Sequence, residues 1–175
     1  MRKPAVLITG ASGEIGHGLI ERLAADGDRA IVTLDLAALD PSLGKKVHRE
    51  VIGSIMDRPL LDRLLSEYEV DLVFHLAALL STRSEFSPLT AHEVNVGGTL
   101  NLLEFAQQQS ASNGRPVVFL YPSSIAVYGL TRETKLGAGK VREDQFTEST
   151  TMYGCNKLYC EQLGRYYARH ECVLV

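Results

Sequence analysis

Short apolar runs rich in β-branched residues alternate along this chain with longer stretches whose apolar positions recur at helical spacing. Ala5 to Thr9 ("AVLIT") is continuously apolar and ends at Gly10, the pattern of a strand buried on both faces. Helical periodicity follows through Ile15, Leu19, Ile20, Leu23 and Ala24 and stops near Gly27. Ala30 to Leu34 ("AIVTL") reads as a second strand and Lys46 to Ile52 ("KVHREVI") as a third. Asp57, with Pro59 behind it, predicts the cap and first turn of a helix through Glu67. A fourth strand is expected over Asp71 to Ala78 ("DLVFHLAA"), a long helix from Ser87-Pro88 to about Gln109, and a fifth strand over Pro116 to Tyr121. After Gly129 comes a charged stretch of about twenty residues without periodicity, then a helix from Thr151 to Ala168, and a sixth strand opening at Cys172.

Strand–helix alternation on this scale requires crossovers that return over the sheet, so the expected fold is a doubly wound α/β domain with a parallel sheet. At 175 residues the chain is long enough for one domain with a sizeable core. Composition sharpens this only by exclusion. With 45% hydrophobic and 22% charged residues the balance is that of an ordinary globular domain. A net charge of −3 gives no reason to expect a nucleic-acid or anionic-membrane partner. No apolar run reaches the ~18 residues of a membrane span, and the N-terminus has too short an apolar stretch for a signal peptide. Cys155, Cys160 and Cys172 are odd in number and lack metal-ligand spacing, which points to reduced thiols in a cytoplasm and to no metal site.

Chemistry enters at the first turn. "ITGASGEIGHGLI" spaces Gly10, Gly13 and Gly16 between the first strand and first helix. The first glycine permits a tight turn, the second lets backbone approach a pyrophosphate, and the third lets the helix lie close to the sheet. The helix N-terminus adds unpaired N–H groups and a positive dipole end. Asp35, at the end of the second strand, suits the ribose hydroxyls of adenosine and would repel a 2′-phosphate, favouring NAD over NADP. Arg29 and Lys45 do not sit where a 2′-phosphate clamp is expected.

Further along, Tyr153 and Lys157 stand four apart and therefore share a helix face. A phenol with a pKa of ~10 is a poor base at neutral pH, but a neighbouring ammonium and an oxidised nicotinamide both favour phenolate. Tyr153 is then a candidate to exchange a proton with a substrate hydroxyl. A hydroxyl partner lies in "YPSSIAVYG", where the chemistry alone does not choose between Ser123 and Ser124.

Together these residues resemble the extended branch of the short-chain dehydrogenase/reductase superfamily, the NAD-dependent epimerase/dehydratase family, over nearly the whole chain. "TGASGEIG" is similar to the branch's cofactor turn, which implies that Ser12, Glu14 and Ile15 join the three glycines in holding NAD. "VFHLAA" is similar to its fourth-strand motif, implying that Leu76, Ala77 and Ala78 line the cofactor. "NVGGTLNLLEFA" resembles its long-helix motif and implies a cofactor contact at Asn95. "SSIAVYG" resembles its fifth-strand motif, and there the serine four before the tyrosine is catalytic, which selects Ser124 beside Tyr153 and Lys157. Members often carry Gly-Asp-hydrophobic after the third strand. Here "GSIMD" has Ser54 in the acidic place, so Ile55 is expected to pack on adenine without that polar contact, and Asp57 is the helix cap.

"HLAALLST", "PSSIAVYG" and "TTMYG" look closest to the L-threonine dehydrogenase-like members, which implies Ser81 and Thr151 as substrate contacts, Thr151 being equally a first-turn capping hydroxyl. A small 3-hydroxy substrate follows from that likeness. A nucleotide-sugar 4-epimerase or dehydratase is the second reading, and a non-catalytic dinucleotide-binding module or redox sensor the third. The resemblance further implies a Rossmann fold, a homodimer through the two long helices, and a C-terminal lobe that binds most of the substrate. Because this chain ends at Val175 inside the expected sixth strand, that lobe is expected to be absent from it, whether as a fragment, a truncated product or a short relative. His75 is read as a satisfied core histidine, His17 as a solvated first-turn residue or one that approaches the phosphates, and the charged loop from Leu130 to Ser149 as solvated surface or an active-site flap.

Overall fold

The computed structural model describes residues 3–27, 29–169 and 173–174. In chain order the elements are β1 (Lys3–Thr9), α1 (Glu14–Asp26), β2 (Ala30–Asp35), α2 (Pro41–Gly44), β3 (Arg49–Ile52), α3 (Arg58–Glu67), β4 (Tyr68–His75), α4 (Ser81–Phe86) and α5 (Pro88–His92). A π-helical segment, Glu93–Gly97, leads into α6 (Gly98–Asn113), followed by β5 (Val117–Leu120), a 3-10 turn (Ile125–Val127), α7 (Arg132–Gly137), α8 (Met152–Arg169) and β6 (Val173–Leu174). The strands form one parallel sheet in the order β3-β2-β1-β4-β5-β6, the doubly wound Rossmann order.

The period-2 alternation of the strands divides the core between two faces. Ala5 and Leu7 of β1, with Val32 and Leu34 of β2, join Leu61, Leu64, Leu102, Phe105 and Phe119 beneath α3 and α6. Val6, Ile8 and Ile31 point the other way, onto Ile20 of α1 and Leu43 of α2. Because both faces are covered, β1 reads as a continuous apolar run.

Several boundaries differ from the sequence reading. β3 begins at Arg49 because only Arg49–Ile52 pair with β2. β4 starts earlier, at Tyr68, which pairs with Lys3, and it ends at His75, releasing Leu76–Ala78 into the rim loop. The expected single long helix is broken by the π segment, and the charged stretch contains α7, capped by Thr131, whose Oγ1 accepts from the Thr134 N–H at 3.2 Å. Asp57 caps α3 as expected, its Oδ1 accepting from the Leu60 N–H at 3.0 Å. Of the expected sixth strand, Val173 and Leu174 pair with Val117 and Val118; Cys172 lies outside the described residues.

Candidate active site

β1 sends one crossover through α1 to β2 and is flanked on its other side by β4, so a crevice opens beyond the carboxyl ends of these strands. A cavity of about 490 Å³ occupies it. Its first wall is the glycine turn. Gly10 has φ +70°, and a Cβ there would stand 2.5 Å from Ala77 N, so both the backbone conformation and the contact with the β4 loop demand glycine. Gly16 lies against Ala11, whose carbonyl oxygen would be 2.3 Å from an added Cβ. Gly13 is the N-cap of α1, has no side-chain cap, and would meet only the Gly10 carbonyl oxygen, at 3.4 Å. The helix N-terminus thus opens onto the cavity with no side chain capping it, which fits a phosphate ligand.

Asp35 closes the turn from the end of β2. Its Oδ2 accepts from the Ser12 N–H at 2.9 Å and its Oδ1 from the Ala37 N–H at 3.1 Å, leaving further lone pairs for ribose hydroxyls. The expected cofactor residues Gly10, Ser12, Gly13, Glu14, Ile15 and Gly16, together with Asp35, Ile55, Leu76, Ala77 and Ala78, line this cavity. Leu34, Leu36, Gly53, Ser54, Leu79, Leu80 and Val94 line it too, although the sequence reading assigned them no contact there. Their signal was adjacency alone, since each lies within two residues of an expected contact or, for Val94, beside Asn95. Ser54 Oγ accepts from the Met56 N–H at 3.1 Å, so the residue in the family's acidic place orders its own loop.

Asn95 is absent from the cavity lining. Its Oδ1 accepts from the Leu79 N–H at 2.7 Å and its Nδ2 donates to the Leu79 carbonyl at 3.1 Å, so it grips the cavity wall from behind. A second cavity, of about 520 Å³, lies between α3 and α6 and is lined by Arg58, Asp62, Asn101, Glu104 and Tyr167 among others. Its lining comes from helices alone, without a glycine turn or a strand end, and the rim cavity is the candidate site on chemical grounds.

Tyr153 and Lys157 lie on α8, which docks against the 3-10 turn. Gly154 makes that docking possible: a Cβ there would be 2.0 Å from the Ala126 carbonyl oxygen. Lys157, 4% exposed, donates to the Pro122 carbonyl at 2.8 Å, and its Nζ lies 4.3 Å from the Tyr121 ring centroid and 5.6 Å from that of Tyr153. One turn on, Glu161 accepts a short hydrogen bond from Ser123 Oγ. Ser124 Oγ instead accepts from the Ala126 N–H at 3.2 Å and keeps its proton. Ser123 is thus engaged by a carboxylate, whereas Ser124 retains its hydroxyl proton.

The electrostatics correct one expectation. Burial pushes the Tyr153 phenol above its ordinary value, and it is not lowered by Lys157. The reason lies in the lysine itself, which burial depresses to about 8 and whose ammonium is spent on Pro122 and the Tyr121 face. Thr151 caps α8, its Oγ1 accepting from the Gly154 N–H at 3.0 Å, while Ser81 is exposed at the start of α4. Neither lines the rim cavity, and Ser124, Tyr153 and Lys157 stand outside its lining as well. Two contacts had been missed. Glu161 follows Lys157 at i+4, a spacing that was legible, whereas Glu85 accepts from the Met152 N–H at 2.7 Å across 67 residues, with no local signal. His75 is a satisfied core histidine as expected, bonded on both ring nitrogens and held down to about 3 by burial, with the Lys157 charge adding to the effect.

Comparison with known proteins shows the family. The model of the NAD dependent epimerase/dehydratase family matches residues 6–174. An uncharacterized epimerase/dehydratase of Staphylococcus epidermidis is 33% identical over 165 residues, covering 93% of this chain and 48% of that protein. The chain spans about half the length of the curated relatives it matches. Among solved structures, a GalE-like L-threonine dehydrogenase from Cupriavidus necator in its holo form is 31% identical with a TM-score of 0.83, covering 98% of this chain and 53% of that one. The UDP-glucose 4-epimerase of Thermus thermophilus, in complex with NAD, is 28% identical with a TM-score of 0.80, covering 97% and 52%. With its parallel sheet, rim cavity and glycine turn, the chain belongs to the NAD-dependent epimerase/dehydratase family.

Proposed function

We propose that the chain is the cofactor-binding part of an NAD-dependent oxidoreductase that oxidises a secondary alcohol, with an L-threonine-like 3-hydroxy compound as substrate. When bound, oxidised NAD supplies the hydride acceptor and a positive ring that favours phenolate. The backbone from Gly10 through Ser12, Gly13, Glu14 and Ile15 to Gly16 holds the pyrophosphate, Asp35 accepts from the adenosine ribose, and Ile55 packs on adenine. Leu76, Ala77 and Ala78 line the path to the nicotinamide end, and Asn95 supports it. There Tyr153 takes the alcohol proton, Ser124 donates to the same oxygen, and Lys157 binds the ribose hydroxyls. Ser81 and Thr151 contact the substrate. Exchanging the Pro122 carbonyl for ribose oxygens would keep the ammonium solvated by oxygen, which favours its charged form.

The observation that carries this reading is the docking of α8 on the 122–126 segment: the helix that bears Tyr153 sends Lys157 to the Pro122 carbonyl, beside a loop in which Ser123 donates to Glu161 while Ser124 only accepts, from the Ala126 N–H. The likeness to a holo L-threonine dehydrogenase supports the substrate class. NAD-bound 4-epimerases at 28% identity support the alternative of a nucleotide-sugar epimerase. The commitment of the Lys157 ammonium to Pro122 supports the third reading, a non-catalytic dinucleotide module or redox sensor. A homodimer through α6 and α8 is part of the proposal.

Turnover separates these readings. With L-threonine and NAD, NADH accumulates under the leading proposal, whereas an epimerase interconverts UDP-sugars without net NADH. Tyr153→Phe is expected to lower turnover by about 10²-fold or more while leaving NADH affinity within about threefold. NAD binding without turnover of any alcohol, indifferent to Tyr153→Phe, would establish the sensor reading instead.

A further inference from the structure

Thr9, His75, Asn95, Thr99 and Cys160 are polar or weakly polar side chains at 2% exposure or less, and none of them touches the rim cavity. Four of them form a continuous chain of hydrogen bonds. Thr9 Oγ1 lies 2.8 Å from His75 Nδ1, and His75 Nε2 lies 2.9 Å from Thr99 Oγ1. Thr99 Oγ1 gives its only proton to the Asn95 carbonyl, at 2.5 Å. That hydroxyl must therefore accept from His75, which fixes the imidazole as the Nε2–H tautomer with Nδ1 accepting from Thr9. Cys160 Sγ donates to the same Asn95 carbonyl at 3.4 Å.

The two ends of this chain support two adjoining stretches of the cavity lining. Thr9 directly precedes Gly10 of the glycine turn. Asn95 clamps both backbone groups of Leu79, which lines the cavity two residues beyond Ala77. Asn95 lies in the π segment, buried, and its carbonyl accepts from the Thr99 and Cys160 side chains. A buried polar network with every member satisfied adds little net stability over an apolar core of the same shape, but it specifies geometry. Phe119, on β5, packs edge-on to the imidazole with centroids 5.9 Å apart, and another apolar ring at position 75 would fit that company. The polar chain is thus better explained by registration of the walls than by cohesion.

We propose that His75 and Thr99 are positioning residues of the dinucleotide cavity, acting through Asn95 to hold the Leu79 wall in register with the glycine turn. The inference rests on the reading that this cavity takes NAD. It is tested on the 175-residue chain by NADH affinity, with the thermal midpoint and the amide spectrum measured in parallel. Thr99→Val, which keeps the shape and removes the hydroxyl, is expected to weaken NADH binding about tenfold and to shift the Leu79 amide resonance, while Thr99→Ser stays within about twofold of the parent. Ser110→Ala, which removes a buried hydroxyl bonded to Ala106 and Val117 far along α6, is expected to lower the thermal midpoint and leave NADH affinity unchanged.

Parent-like NADH affinity in folded Thr99→Val would overturn the proposal. So would equal losses in Thr99→Ser or Ser110→Ala, which would indicate shape or general loosening. Should Thr99→Val not fold, hydrogen exchange in the parent decides: the Leu79 amide is expected to be protected like a strand amide, and exchange at an open-loop rate contradicts the clamp. A parent chain that binds no NADH sinks the dinucleotide reading and this inference together. A parent that binds while Thr99→Val binds equally well sinks only the inference.

Discussion

Lys157 shows how a residue's surroundings redirect its chemistry. At i+4 from Tyr153 it reads as the cation that primes a phenol, yet burial, the Pro122 carbonyl and the Tyr121 ring have drawn its ammonium elsewhere. Its folded pKa of about 8 lies below the ordinary lysine value of 10.5. Between those values the unfolded chain holds the extra proton, so this group makes stability rise as pH climbs from about 8 to 10.5. The gain is at most roughly 3 kcal/mol. Denaturation midpoints measured across that window should rise more steeply in the parent than in Lys157→Met, and equal slopes would contradict the buried, charged lysine. The spacing of Tyr153 and Lys157, and that of Gly10, Gly13 and Gly16, was legible in the sequence because helices and tight turns impose fixed intervals. The direction of the phenol's shift was not, because burial is set by how distant parts of the chain pack together.

Elements bring these residues together, and one glycine sets the closest approach. Gly154 lets α8 reach the 3-10 turn, where Ser149 Oγ also donates to the Ala126 carbonyl at 2.8 Å. Gly154→Ala forces the helix outward against backbone, so it should cost about 1–3 kcal/mol of stability and lower turnover more than NADH affinity. Unchanged turnover in a folded Gly154→Ala would detach α8 docking from the chemistry. At this scale the buried strands were readable from their apolar runs and α1 and α3 from periodicity and caps. The π segment was not, because one extra residue shifts the face of a helix without disturbing its composition. Nor was α4: "STRSEF" has no apolar stripe, and it is held by Ser84, whose Oγ donates to the Leu79 and Leu80 carbonyls, and by Glu85 at the start of α8.

For the whole molecule, the strand order places the carboxyl ends of β1 and β4 side by side, and everything proposed about function follows from that crevice. Topology was legible because the first, third and fourth apolar runs were each followed by a helical stretch long enough to cross the sheet, while the second led through a short helix, Pro41–Gly44, to its neighbour. The second cavity was not, since its lining joins residues of α3, α6 and α8 that only the tertiary fold brings together. The most direct test is a crystal structure of this chain grown with NAD. The expected result has the pyrophosphate on the α1 N-terminus, a ribose on Asp35, and the nicotinamide within reach of the Tyr153 and Ser124 hydroxyls. A nicotinamide end turned away from α8, or a dinucleotide seated anywhere other than the β1–β4 crevice, would contradict the account.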